Sequence, residues 1–355
     1  MNAESIYTPE KRSLTACGPG DFNIAAVGLS HGHIYGMCQN LVRAGATLTR
    51  FWDADPQKMQ QFRNAFPDAK PASCEDEVLN DPGINLVATA DIPNLRGPLG
   101  LRVLAHGKDF FTDKAPFTSL DQLESAREKV AATGRRWFVC YSDRVESECS
   151  VYAEQLIDRG VIGRVLHVTG FGPHRLNAAS RPAWFFQRKM YGGIICDLGS
   201  HQVDQFLAFC GAADAAVESS RIANYHHPQY PELEDFGDAN LLADNGATNY
   251  FRVDWFTPDG LGTWGDARAF IIGTRGYIEL RKYIDIAGSG EGDQVYLVDD
   301  AGEHHFSVHG QVGLPFYTDL ILDSLNGTDN AMPQAHTFKA AELCLLAQKQ
   351  ARRIA

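Results

Sequence analysis

From Phe22 onward, short apolar runs alternate with amphipathic segments of helical length, and the pattern holds to about residue 141. Residues 23–28 predict a strand, 34–44 a helix, and 46–52 a second strand that ends at Asp53. Pro56 suits the first turn of a helix running to about residue 66, since that turn has no use for its missing N–H. Ser73, with Asp76 three residues later, resembles a helix cap ahead of Val78 and Leu79, although a capping box has Glu or Gln in that place. Residues 85–90 predict a third strand, 95–106 a helix, 109–112 a fourth strand, 120–133 a helix closed by Gly134, and 137–141 the last strand of the series. Strands separated by helices of this length require a parallel sheet, because parallel neighbours need crossover connections. Residues 22–142 are therefore expected to form an α/β, doubly wound Rossmann domain.

Beyond residue 142 the pattern changes. One helix, 148–159, precedes a strand at 165–170, and strand-like alternation returns at 221–225, 247–257, 267–272, 277–280 and 295–298. Strands joined by short connections favour antiparallel pairing. Residues 143–355 are expected to form an α+β domain on a large, mainly antiparallel open sheet, with a last helix, 337–353, packed back on the protein. An open sheet face commonly serves as an interface between copies, so a homodimer or homotetramer is expected.

A length of 355 residues agrees with two cores. The formal charge of −12 disfavours nucleic acid and anionic membranes as partners. Residues 1–21 are polar, carry Pro9 and Pro19, and lack the apolar stretch of a signal peptide; they read as a flexible arm. The eight cysteines, scattered without a CxxC pair, fit reduced thiols in a cytoplasmic protein and no zinc site.

The first strand runs into a turn, Gly28-Leu29-Ser30-His31-Gly32-His33, and then a helix, the arrangement that meets a pyrophosphate with backbone amides. Of the usual glycine triplet only Gly28 stands in register; Ser30 and His33 replace the others. Asp53 ends the second strand, where a carboxylate accepts ribose hydroxyls and repels a 2′-phosphate, so NAD is expected in preference to NADP. Asp53 and Asp55 could instead begin a turn and cap the helix at Pro56. His31 and His33 have no third ligand nearby in sequence, so contacts to cofactor or substrate are expected of them and no metal.

The run Gly192-Gly193-Ile194-Ile195-Cys196-Asp197-Leu198-Gly199-Ser200-His201-Gln202-Val203-Asp204 leads into a helix at 205–210. Asp197 and His201 are four apart; on a helix that spacing stacks them on one face, with the carboxylate orienting the imidazole. A capping Asp and a solvated His would be the plainer reading of the pair alone.

The full pattern, GGxxxDxGxHxxD, resembles the signature of the glucose-fructose oxidoreductase / inositol dehydrogenase / rhizopine catabolism (Gfo/Idh/MocA) family. Asp113-Lys114-Ala115-Pro116 is similar to that family's Glu-Lys-Pro motif, and Gly273-Thr274-Arg275-Gly276 to its late Gly-Thr-x-Gly turn. The resemblance implies Lys114, Asp197 and His201 as catalytic residues. It implies cofactor contacts from the glycine turn, Asp53, Ala90, Asp91, Asp113 and Lys114. Candidate substrate contacts are His174, Arg175, Asn177, Trp184, Tyr191 and His201. The family's proline is displaced by one, and Asp91-Ile92-Pro93-Asn94 stands where Thr-Pro-Asn-His is usual, which points to a divergent subfamily. His226-His227 and His304-His305 fall in expected loops and receive no role.

The expected activity is NAD-dependent hydride transfer at a secondary hydroxyl or ketone of a sugar, inositol or related polyol. Two other readings share the fold: tightly held NAD used for transient oxidation in elimination or glycoside cleavage, and a non-catalytic NAD-responsive sensor.

Overall fold

The computed structural model describes residues 6–355, Ser13 and Ser289 excepted. Six parallel strands form the first sheet: β1 (Asn23–Val27), β2 (Thr47–Trp52), β3 (Lys70–Pro71), β4 (Leu86–Thr89), β5 (Asp109–Asp113) and β6 (Trp137–Cys140). They are linked by α1 (His33–Arg43), α2 (Pro56–Ala65), α3 (Glu75–Leu79), α4 (Pro93–Ala105) and α5 (Leu120–Thr133). The order β3-β2-β1-β4-β5-β6 places the reversal of winding between β1 and β4. Ligands of such sheets bind outside the carboxyl ends of the strands at that point. Every residue of β4, β5 and β6 is buried, as helices on both faces require.

Local signals set the helix ends. Asp55 caps α2 through Gln57 N at 2.8 Å, and Ser119 caps α5 through Gln122 N at 3.3 Å, with Gly134 closing that helix at φ 64°. The cap expected from Ser73 and Asp76 takes another form. Cys74 precedes α3, and Glu77 closes the turn by accepting from both Ser73 N and Ser73 Oγ, because a glutamate reaches back where Asp76 is too short.

After α6 (Ser142–Val145) and α7 (Glu148–Asp158) comes a second sheet. Its strands are β7 (Val165–Pro173), β8 (Ala215–Ala223), β9 (Phe236–Ala243), β10 (Thr248–Asp254), β11 (Arg268–Gly273), β12 (Gly276–Arg281), β13 (Gln294–Asp299), β14 (Gly302–Ser307) and β15 (Arg352–Arg353). They lie in the order β14-β13-β12-β11-β7-β10-β9-β8-β15, antiparallel except for the pairs β7/β10 and β8/β15. Between β7 and β8 lie α8 (Arg188–Tyr191) and α9 (Ser200–Cys210); α10 (Pro315–Asn326) and α11 (Gln334–Gln350) follow β14. The α+β expectation holds for this part of the chain.

Several boundaries differ from the sequence pattern. The last helix stops at Gln350, and Arg352–Arg353 continue as an edge strand beside β8. His304 and His305 sit in β14, where the sequence pattern suggests a loop. This edge strand alternates half-buried with exposed residues and so lacks an apolar run. The segment expected as a flexible arm is tied down over its described part: Tyr7 Oη donates to Asp299 Oδ2 at 2.7 Å, and Arg12 makes a forked pair with Asp319. Polar composition alone hides such anchors; residues 1–5 and Ser13 lie outside the described residues. No helix among the described residues is long and apolar enough to cross a membrane.

Candidate active site

A cavity of about 240 Å³ opens at the carboxyl ends of β5 and β6 and is walled on its far side by residues after β7. It gathers Lys114, Asp197, His201, His174, His31 and His33, residues far apart in the sequence.

The segment carrying Asp197 and His201 is built by its glycines. Gly192 and Gly193 have φ of 89° and 97°, and a Cβ on Gly193 would stand 2.3 Å from the Gln348 side chain. The amides of Ile194 and Ile195, lacking helical partners, donate to Glu234 and Gln348, both at 2.9 Å. The chain then makes a π-helical turn, Ile195–Gly199, before α9. Asp197 lies inside that wider turn and His201 at the start of α9, and the pairing expected from their spacing does not form. Asp197 Oδ1 instead accepts from Lys114 Nζ at 2.5 Å, and no bond joins it to His201. Burial would raise the Asp197 carboxyl, but the Lys114 ammonium outweighs it and holds the group below its ordinary value.

His201 is 2% exposed, and its Nδ1 has no partner. Burial pushes its pKa down to about 4; Asp143 opposes that shift and Lys114 adds to it. Asp204, the last residue of the pattern, is structural: buried, it accepts a forked pair from Arg144 and a bond from His336 at 2.8 Å.

Lys114 is aimed by Arg96 of α4, 1% exposed, whose guanidinium donates to the carbonyls of Asp91, Asp113, Lys114 and Ala115 and to Asp113 Oδ2. The Lys114–Ala115 peptide is cis, at the position after the lysine despite the displaced proline. Asp113 Oδ1 lies 3.0 Å from His33 Nδ1, and Asp113 Oδ2 lies 3.8 Å from His31 Nδ1. Tertiary folding thus brings a carboxylate to the two histidines that sequence distance concealed. Both of its oxygens are engaged, by His33 and by Arg96.

Asp143 was not singled out by the sequence pattern, although it lies just past β6, where parallel sheets place their ligands. Its Oδ1 accepts from Tyr283 Oη at 2.5 Å, its Oδ2 is buried without a partner, and its carbonyl takes Lys282 Nζ at 2.7 Å. Burial would raise this carboxyl, but His201, Lys282 and His174 hold it well below the ordinary range. Arg181, Trp255 and Trp264 also line the cavity, and no spacing in the sequence marks them.

The expected substrate residues separate on inspection. His174 lines the cavity against Trp264, ring centres 4.3 Å apart, and burial lowers its pKa to about 3. Trp184 and the exposed Asn177 line the mouth. Arg175 Nη2 is spent on the carbonyls of Pro258, Asp259, Leu261 and Thr263. Tyr191 offers only its ring, since its hydroxyl donates to Glu232 O and accepts from Glu234 N.

A separate groove of about 510 Å³ runs over the ends of β1, β2 and β4, lined by Gly28, Ser30, Asp53, Lys58 and Asp91. Gly28 has φ 74°, and a Cβ there would come within 2.6 Å of Asp91 Cβ. The amides of Ser30 and Gly32, in the turn beside the groove, donate no hydrogen bond to another described residue. Asp53 Oδ2 accepts from Leu29 N at 2.7 Å and its Oδ1 from Asp55 N at 2.8 Å, bracing the turn it borders. These features fit a dinucleotide laid from Asp53 across the turn toward Lys114. Ala90 is fully buried; its carbonyl holds His31 N at 2.8 Å.

A solved structure assigned as an oxidoreductase from Erwinia carotovora atroseptica SCRI1043 is 49% identical, covers 94% of this chain and all of its own, and superposes with a TM-score of 0.92. The family model of the GFO/IDH/MocA C-terminal domain matches residues 151–279. The chain belongs to the Gfo/Idh/MocA family of oxidoreductases. Among its Gfo/Idh/MocA relatives, scyllo-inositol 2-dehydrogenase (NAD(+)) of Bacillus subtilis (strain 168) is 29% identical over 260 residues, 69% of each chain. Levoglucosan dehydrogenase in complex with NADH shares the Gfo/Idh/MocA fold at a TM-score of 0.75 and 15% identity, over 94% of this chain and all of its own.

Proposed function

We propose that this protein is an NAD-dependent dehydrogenase that moves hydride between the nicotinamide and a secondary hydroxyl or ketone of a sugar, inositol or related polyol. The observation that carries the reading is the buried Lys114–Asp197 pair beside a His201 kept neutral by burial, in one cavity at the ligand end of the Rossmann sheet. The bound nicotinamide supplies the hydride acceptor. His201 takes the hydroxyl proton, which must leave as hydride departs from the same carbon. Lys114 holds that oxygen and stabilises its developing charge, and Asp197 fixes the lysine's position. His174 and Trp184 orient the ring, while Asn177 borders the mouth.

In this reading residues 22–142 hold the dinucleotide. Ser30 and Gly32 amides meet the pyrophosphate, Asp53 the adenosine ribose, and Ala90, Asp91, Asp113 and the His31–His33 pair border the nicotinamide half. Asp53 would repel the extra phosphate of NADP, as does the charge of −12 on the whole chain. Residues 143–355 bind substrate and mediate a homodimer or homotetramer, supported by exposed Leu242, Ile272 and Tyr277 on the second sheet. The eight free cysteines suit work in the cytoplasm.

The test is the rise in near-ultraviolet absorbance of reduced nicotinamide when the protein meets NAD and a panel of sugars, inositols and the corresponding sugar acids. Turnover with one polyol class, lost in His201→Ala and Lys114→Ala, is the expected result. NAD that binds without turning over on any member would overturn it.

A further inference from the structure

Of the cations that line the cavity, all but one have a carboxylate partner among the described residues, histidines aside. Lys114 pairs with Asp197 at 2.5 Å, Arg96 with Asp113 at 3.1 Å, and Arg175 with Asp259 at 3.5 Å. The Asp143 carboxylate takes only the Tyr283 hydroxyl, with the buried Lys282 ammonium on the residue's backbone carbonyl. Arg181 has no such match: among the described residues it forms no ion pair, and its side chain makes one hydrogen bond, from Nε to Leu176 O at 2.9 Å. Both terminal nitrogens are left without a protein acceptor, although the residue lines the same cavity as His201.

The side chain is nevertheless held in place. Its guanidinium carbon lies 4.5 Å from the ring centre of Phe185 and 5.2 Å from that of Trp255, and those two rings meet edge to face at 5.3 Å. Burial lowers its pKa, with the more distant Asp197 opposing. An arginine stacked on two rings, partly buried and short of a counterion is preorganised for an anion, and its free edge presents the planar fork that matches a carboxylate.

We infer that Arg181 forms a carboxylate subsite, so that the preferred substrate is an acidic polyol, of the uronate or aldonate class, rather than a neutral sugar. The inference rests on the reading of this cavity as a polyol site. The volume of about 240 Å³ lies below the usual range of ligand pockets and suits one monosaccharide unit.

The experiment is calorimetric titration of the full-length protein saturated with NAD, using pairs that differ only in the carboxylate: D-glucuronate against D-glucose, and D-gluconate against D-glucitol. Glucose 6-phosphate serves as a second anion. The acid of at least one pair is expected to bind about 10- to 100-fold more tightly than its neutral partner, the range of a charge-assisted bond. Arg181→Gln should bring that ratio close to one. Equal or tighter binding of the neutral partners by the unaltered protein would overturn the inference without any variant, and so would tight phosphate binding with no carboxylate preference. Acid preference without hydride transfer would support the subsite and overturn only the dehydrogenase reading. Turnover of neutral polyols with no acid preference would do the reverse.

Discussion

Lys114 Nζ and Asp197 Oδ1 stand 2.5 Å apart, joining the end of β5 to the π turn across 83 residues of sequence. The pair ties the parallel sheet to the part of the chain that carries the second sheet, so it bears on stability as well as on the proposed chemistry. Asp197→Ala leaves a buried ammonium without its carboxylate and is expected to cost about 3–5 kcal/mol. The double variant Lys114→Ala/Asp197→Ala should recover part of that loss, because no charge is then stranded. Urea unfolding of the three proteins checks this; an Asp197→Ala protein as stable as the parent would refute it.

In the proposed reaction His201 sets the pH behaviour. Its imidazole titrates at about 4 in place of 6.5, so in alcohol oxidation kcat/KM should hold level through the mildly acid range and fall only near 4. His201→Ala should lower kcat about 100- to 10,000-fold. Linkage has the matching sign: the unfolded chain binds this proton at the ordinary value and the folded chain at about 4. The contribution to stability is therefore full above 6.5 and declines as pH falls toward 4. An acid limb centred near 6.5 would show that the active form exposes His201 to water.

Asp143 is the acidic group acting most strongly on His201. Asp143→Asn keeps an acceptor for Tyr283 and removes the charge. The acid limb should then move further down in pH, by on the order of one unit, with a lower kcat because the protonated imidazole loses its support. An unchanged profile would remove Asp143 from the proton chemistry.

Gly28→Ala combines a positive φ with a Cβ placed 2.6 Å from Asp91. Strain of about 1–3 kcal/mol is expected, released by displacement of the turn. NAD affinity should weaken at least about tenfold in fluorescence titration, with a lower melting temperature. Retention of parental affinity would mean that the dinucleotide does not approach this turn.

What could be read from residue order was the part governed by local periodicity. Apolar runs separated by helix-length segments determine a parallel sheet, and the GGxxxDxGxHxxD run with Asp113-Lys114 marks the family and brings Lys114, Asp197 and His201 into view. Elements with weak patterns escaped, such as the polar edge strand β14 and the arm anchored by Tyr7 and Arg12. Partnership was decided only in three dimensions. Four-residue spacing suggests Asp197 with His201, but tertiary packing gives Asp197 to Lys114. Asp113 reaches His31 and His33, Asp143 acts on His201, and Arg181 is left as a cavity cation without an ion pair among the described residues. Periodicity encodes which face of an element is buried. Which charges meet depends on how separate elements pack, and in a desolvated cavity that packing sets the protonation state of each group.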